Sequence, residues 1–573
     1  MGPSGAGKSL LLHSLAGLAP SSARVSGQVC SGTGNSQVGV REGTMALLEQ
    51  DVPFFSELTV HETICFSAQL EGMSNRAAAI EAASLLKRLR LDTVAERKVG
   101  ERYIGSAGQG LSGGEQRRLA LGCALAGEGA TQKSKALLAD EPTTGLDTFQ
   151  AADMVQFLRD LGKARHCATI LTIHQPRSSV WGMIEDVLLL APGGRPIFCG
   201  ATEEALRHLE QLGHKCPREG VNPADFLIDL ISVHTGPEAQ EDLQRIVRLA
   251  EAANVVLLGA KPGQGAPPLE RCGLSSFDAF CLLLKRAWLQ TSRDKVTNLS
   301  RLGATAGLGL IFGAQFGFFG TEEMSAMSVS SRVGLLSFGA IAMAFIGEMR
   351  ALDRFGKEKK VVGRERAAGY YGGLTYLCAK AVAELPSDGV FAALFALMVH
   401  WRCGLRAPVA ALAAAYSLIA VVSAALGLAI GAAIPNGDRA MTAGIPVMTV
   451  HMLTGVIDPA GAAATPGPSM IALRKMSPIR DAIEALCRQE LDGAVLAPNP
   501  QEAGKFGGLA LLRSGDVFLE RLGITRTYQE AMQHLLLLLI VHLLAAAFFL
   551  AVCQPRFSRA KPTGHGFPVA QRP

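Results

Sequence analysis

Beyond Asn298 the chain holds several long stretches with no charged residue, and no other feature restricts its possible folds so strongly. Leu302 to Gly320 is one such stretch, flanked by Arg301 and Glu322. A membrane-spanning helix needs roughly 20 mostly apolar residues, and in lipid every backbone polar group must be satisfied within the segment. The second half is therefore expected to be an all-α membrane domain. Further spans are expected from about Ser325 to Gly347, Thr375 to Trp401, Ala407 to Ile434, Ala440 to Ile457 and Ala531 to Val552, six in all. The third is interrupted by Lys380, Glu384, Pro386 and Asp388, so its N-terminal half reads either as part of the span or as an interfacial helix. Span one carries Gly303, Gly307, Gly309, Gly313 and Gly317, a small-residue spacing that lets helices approach closely.

Basic residues orient these spans. Arg350, Arg354, Lys357, Lys359, Lys360, Arg364 and Arg366 follow span two as an expected loop, and Arg556, Arg559 and Lys561 follow span six. The loop after span one offers Glu322 and Glu323 instead. Both termini are thus expected in the cytoplasm, with Asp458 to Glu530 as one large external loop. Cys487 in that loop reads either as an intersubunit bridge or as a free thiol.

The first roughly 290 residues have ordinary globular charge density, so 49% apolar residues overall and a mean hydropathy of +0.25 fit a soluble domain joined to a membrane domain. A net charge of +5 is too mild to argue for nucleic acid, and the twelve cysteines form no CxxC pair that would indicate zinc. Met1 runs straight into Gly2-Pro3-Ser4-Gly5-Ala6-Gly7-Lys8-Ser9, which fits GxxxxGK[ST] and precedes the apolar run Leu10, Leu11, Leu12, Leu15. In such a loop backbone N–H groups of Gly2, Ser4, Gly5, Ala6 and Gly7 curl around phosphate oxygens, Lys8 reaches the terminal phosphates, and Ser9 ligates Mg²⁺. This predicts ATP and Mg²⁺ as cofactors. Ala136-Leu137-Leu138-Ala139 ends in Asp140 and Glu141, which puts one acid beside a metal and another beside an attacking water. Taken alone, the same pattern is also that of a core strand ending at an acidic turn.

Leu111-Ser112-Gly113-Gly114-Glu115-Gln116 lies between these pieces and resembles the signature motif of ABC ATPases. The resemblance implies that Ser112, Gly113, Gly114 and Gln116 cap the γ-phosphate of a nucleotide held by a second subunit. Gln50 resembles the Q-loop glutamine that senses Mg²⁺, Asp147 the D-loop aspartate, and His174 the switch histidine. Glu141, His174 and Gln50 are then the catalytic residues, Ser9, Gln50 and Asp140 the metal ligands. Glu141 polarises the water and His174 holds it in line with the γ-phosphate.

His174-Gln175-Pro176-Arg177-Ser178-Ser179 is similar to a segment of the G subfamily, the White-like half-transporters. So are Asn222-Pro223-Ala224-Asp225-Phe226, Arg364-Glu365-Arg366, Tyr370-Tyr371 and Glu384-Leu385-Pro386. One departure is Glu115-Gln116, where that branch often has Glu-Arg. The fold expected is an α/β P-loop ABC ATPase domain followed by an all-α six-helix transmembrane domain. Its parts would be a nucleotide-binding domain over 1–235, a linker and connecting helix over 236–297, the membrane domain over 298–557 and a cytoplasmic tail over 558–573. The family's strand before the phosphate loop and its adenine-stacking aromatic have no counterpart before Gly2, so an incomplete N-terminus is expected, with the neighbouring strands left exposed. The function implied is an ATP-driven half-transporter, homodimeric or heterodimeric, exporting a small lipid-like or amphipathic substrate, with membrane lipids as further partners and no nucleic acid.

Overall fold

The computed structural model describes residues 1–20, 22–25, 30–31, 38–39, 45–50, 52–100, 110–126, 136–217, 222–234, 239–253, 274–320, 324–455, 467–497, 512–553 and 557–558. Glu322, Glu323, Arg556, Arg559, Lys561, the expected tail beyond Ser558 and parts of the expected linker and external loop lie outside them. The chain divides into two compact units, residues 1–274 with 556–573, and residues 275–555.

The first unit mixes helices and strands in the order α1 (Lys8–Leu15), β1 (Ala19–Pro20), β2 (Cys30–Ser31), β3 (Val38–Gly39), β4 (Met45–Leu48), α2 (Val60–Leu70), α3 (Asn75–Arg88), α4 (Gly113–Leu125), β5 (Ala136–Ala139), α5 (Thr148–Arg165), β6 (Ala168–Leu171), α6 (Ser178–Trp181), β7 (Asp186–Ala191), β8 (Arg195–Ala201), α7 (Thr202–Gln211), α8 (Pro223–Ile231), α9 (Ala239–Glu251) and β9 (Phe557–Ser558). Strands β4, β5 and β6 pair in parallel in that order, with Leu48 opposite Ala139 and Ala139 opposite Leu171. All four residues of β5 are buried, as a central parallel strand covered on both faces requires. No described strand pairs with the far edge of β6, where Ile170 is 41% exposed. Helices α2, α3 and α4 pack together through Ile64, Leu85, Leu119 and Leu121, none more than 1% exposed. The antiparallel pair β7–β8 carries its own core with α7 and α8. Helix α9, which lies in the stretch expected as linker, adds Ile246 and Leu249 to that core.

The second unit is helical: α10 (Ser276–Arg293), α11 (Lys295–Phe316), α12 (Ala326–Ala367), α13 (Gly373–Cys403), α14 (Val409–Ala433), α15 (Gly437–Gly455), α16 (Pro468–Lys475), α17 (Pro478–Leu491), α18 (Gly515–Arg521) and α19 (Tyr528–Val552). Helices occupy all six expected spans, and among the described residues α12, α13, α14 and α19 are long and apolar enough to cross a membrane. On α19 the exposed residues Leu536, Leu537, Ile540, Val541, Leu544 and Phe548 form one apolar stripe, the pattern of a lipid-facing helix.

The basic run from Arg350 to Arg366 is not the expected loop but the second half of α12, a helix of 42 residues. Several of its charges are paired with neighbouring helices, so they do not end the helix. Arg350 bonds Asp388, Arg354 reaches Thr291 Oγ1 and Asp294 at 3.0 and 3.2 Å, and Glu358 meets Lys380 at 2.7 Å. Lys359 donates to the carbonyls of Gly431 and Ile434 at the end of α14, and Arg366 to Leu550. Helix α13 is continuous through Pro386, and its Lys380, Glu384 and Asp388 are almost wholly buried. Lys380 bridges Glu384 at 2.7 Å, and Arg301 of α11 holds Asp388 at 2.6 Å. Charge in such surroundings survives only when paired.

The glycines of span one divide by face. A side chain at Gly309 or Gly313 would run into Met398 or Arg402 of α13, whereas Gly303 and Gly307 face open space. Within the expected external loop, α17 is buried against the helical core, and Cys487 is a fully buried cysteine with no disulfide in this chain.

Candidate functional site

The phosphate loop is built by close approach and by left-handed turns. A side chain on Gly2 would stand 2.1 Å from the Leu190 carbonyl oxygen, so only glycine fits against β7. Gly5 and Gly7 take φ of 78° and 86°, a region glycine enters without steric cost. The curl is closed by Ala6 N–H donating to Pro3 O at 3.3 Å, and α1 begins at Lys8. Ser4 is exposed on the outer curve. The buried Lys8 ammonium spans the loop, donating to Gly2 O at 2.8 Å and Pro3 O at 2.9 Å. Burial pulls it below the usual lysine range, against the opposing pull of Glu141 and Asp140.

Strand β5 delivers the two acids beside this loop. The Ser9 hydroxyl donates to Asp140 Oδ1 at 3.0 Å, and Thr172 at the end of β6 donates to the same oxygen at 2.6 Å. A hydroxyl and a carboxylate at that separation are hard oxygen donors suited to Mg²⁺, which takes one or two protein ligands and fills the rest with phosphate oxygens and water.

Glu141 follows with φ 45°, a left-handed backbone that costs an L-residue roughly 1–2 kcal/mol. Its amide donates to Thr172 Oγ1 at 2.8 Å and its carbonyl accepts from Arg117 at 2.7 Å. Its carboxylate Oε2 accepts from Gln50 Nε2 at 3.1 Å and Thr144 Oγ1 at 3.0 Å. Gln50 therefore lies on Glu141.

The signature residues open α4. Ser112 is its N-cap, in a capping box with Glu115: Ser112 N–H donates to Glu115 Oε2 at 2.7 Å and Glu115 N–H to Ser112 Oγ at 3.3 Å. Gly113 is exposed, Gly114 is packed on Gln150, and Gln116 is half-buried in the same turn. Asp147 caps α5 by accepting from Gln150 N–H at 2.8 Å. No hydrogen bond joins Ser112, Gly113 or Gly114 to the phosphate loop among the described residues. His174 lies just past β6, half-buried and without a hydrogen-bond partner among the described residues. The loop, Asp140, Glu141 and Gln50 are thus gathered by hydrogen bonds, and the signature helix joins them through Arg117, while His174 makes no hydrogen bond to them among the described residues.

Arg117, Thr144 and Thr172 were not predicted from the sequence. Only Thr172 carried a signal, its place two residues before His174 at a strand end.

Comparison with known proteins follows this division. The family described as ABC transporter matches residues 1–144, and that described as ABC-2 type transporter matches residues 278–491. ABC transporter G family member 7 of Arabidopsis thaliana is 33% identical over 519 residues, covering 86% of this chain and 69% of that protein. Protein white of Drosophila melanogaster is 30% identical over 479 residues, 79% of this chain and 67% of that one. ATP-binding cassette sub-family G member 5 of Rattus norvegicus is 30% identical over 429 residues, 72% and 63% of the two chains.

Proposed function

The chain belongs to the G family of ABC transporters, membrane proteins driven by ATP, and from that premise we propose that it is a half-transporter that works only with a second subunit. The observation that carries this reading is the exposed start of the signature helix, where Ser112 and Gly113 face outward. The chain has one phosphate loop and one signature helix, and the exposed start of α4 at Ser112 and Gly113 makes no bond to its own loop. Beside the capping box, the first-turn amides of Gly113 and Gly114 suit an anion, and we take that anion to be the γ-phosphate on a partner's loop. Two copies, or one copy and a related subunit, satisfy this equally.

In that sandwich Lys8 neutralises charge on the terminal phosphates, and the loop amides from Gly2 to Gly7 hold their oxygens. Ser9, Asp140 and Gln50 would hold Mg²⁺, which would supply positive charge against the phosphates. Glu141 accepts a proton from the attacking water, which His174 keeps in line once the sandwich closes, and Asp147 reaches across the interface. The unit from Ser275 to Pro555 is the membrane part, with six spanning helices and the ATPase and both termini in the cytosol. Resemblance to the G family is the ground for the lipid-like or amphipathic substrate and for its export from the cytosolic side.

ATP-dependent movement of fluorescent lipids, sterols and amphipathic drugs tests this in liposomes that carry the chain. Uptake of at least one class, abolished by Lys8→Met, is expected. Transport that is independent of ATP would overturn it.

A further inference from the structure

Glu141 is clamped through its backbone by two side chains from distant parts of the first unit. Thr172, 7% exposed, accepts from its amide at 2.8 Å while donating to Asp140 Oδ1 at 2.6 Å. Arg117 donates from one guanidinium nitrogen to the Glu141 carbonyl at 2.7 Å and from the other to the Thr144 carbonyl. Between the two clamps Glu141 sits at φ 45°, a conformation that relaxes to the right-handed or extended regions unless its surroundings fix it. The carboxylate then stands on Gln50 and Thr144.

We propose that Arg117 and Thr172 are positioning residues for ATP hydrolysis, which hold Glu141 in this left-handed conformation and so aim its carboxylate. The inference rests on Glu141 acting on the attacking water, as proposed above. Arg117 lies one turn into α4 from Gly113 and Gly114, so the helix that meets the partner's nucleotide is bonded directly to the main chain of the catalytic acid. A shift of α4 on engagement is therefore felt at Glu141 and Thr144 together. Arginine is needed because its planar fork reaches two carbonyls at once, whereas a lysine ammonium is a point charge on a flexible stem. Thr172 is needed for a hydroxyl that accepts on one side and donates on the other.

The test is steady-state ATPase of the full chain in liposomes, with nucleotide affinity read from a fluorescent ATP analogue, for Arg117→Lys, Thr172→Val, Thr172→Ser and Glu141→Gln. Misplacing the acid lowers kcat by about ten- to a hundredfold in Arg117→Lys and Thr172→Val. Nucleotide affinity and KM stay within about twofold, because the phosphate loop is untouched. Thr172→Ser keeps the hydroxyl and recovers most of the loss. If Glu141→Gln abolishes turnover while Arg117→Lys and Thr172→Val turn over like the parent, the positioning role is overturned and that of Glu141 stands. A rise in KM at constant kcat overturns it equally. If Glu141→Gln itself leaves turnover intact, the reading beneath it fails instead.

Discussion

Ser9 and Asp140, 131 positions apart in sequence, meet through a 3.0 Å hydrogen bond from the serine hydroxyl to the carboxylate. The contact joins the first turn of α1 to the end of β5, and it presents two hard oxygens side by side. Asp140→Asn removes the negative charge and leaves the shape. Turnover is expected to fall by about a hundredfold or more, with a higher Mg²⁺ concentration for half-maximal rate. Titrating the ATPase with Mg²⁺ and Mn²⁺ checks it; an unchanged metal requirement would remove Asp140 from the metal site.

Helices α12 and α14 approach closely at Gly347. A Cβ there would lie 2.5 Å from the Ala420 carbonyl oxygen, a backbone atom that cannot swing aside. Gly347→Ala should cost about 1–3 kcal/mol through overpacking. Gly303→Ala, in open space, should change thermal stability little. Unfolding in detergent followed by tryptophan fluorescence distinguishes the two.

Arg332 and Glu490 form an ion pair with side chains 1% and 0% exposed. Glu490 also accepts from the backbone amides of Arg406 and Ala407, at 3.1 and 2.8 Å. Arg332→Met strands a buried carboxylate and should destabilise by roughly 3–5 kcal/mol. Replacing Glu490 with leucine as well should restore only part of that, since two amides then lose their acceptor. Full recovery in the double variant would show that those amides bind elsewhere.

Asp242 anchors α9. Its Oδ2 accepts from the amide and ring Nδ1 of His234, both at 2.9 Å, and Oδ1 meets Arg245 at 2.8 Å. The amide bond, with the His234 ring and Arg245, holds its carboxyl below the ordinary value of 3.8. A depressed folded-state value means that the stabilisation is complete above 3.8 and is lost as pH falls through the lower folded value. Hydrogen exchange in α9 should accelerate over that acid range in the parent. In Asp242→Asn it should already be fast at neutral pH.

The phosphate loop and the signature were legible because their chemistry is local: glycines at Gly5 and Gly7 permit φ above 70°, and Lys8 and Ser9 follow within two residues. The extent of α12 was not legible. Seven basic residues from Arg350 to Arg366 look like a loop until Arg350, Arg354, Lys359 and Arg366 meet their partners on α13, α10, the end of α14 and α19. Arg117 and Thr172 were hidden for the same reason. Their partners, Glu141 and Asp140, lie 24 and 32 positions away, and only the folded sheet brings them together.

One substitution probes the proposed hydrolysis of ATP at Glu141. Glu141→Gln keeps the side chain's shape, and with it the contacts of the main chain to Thr172 and Arg117. ATPase turnover of the full chain in liposomes should fall to background while fluorescent-nucleotide binding persists. Turnover equal to that of the parent would contradict the account.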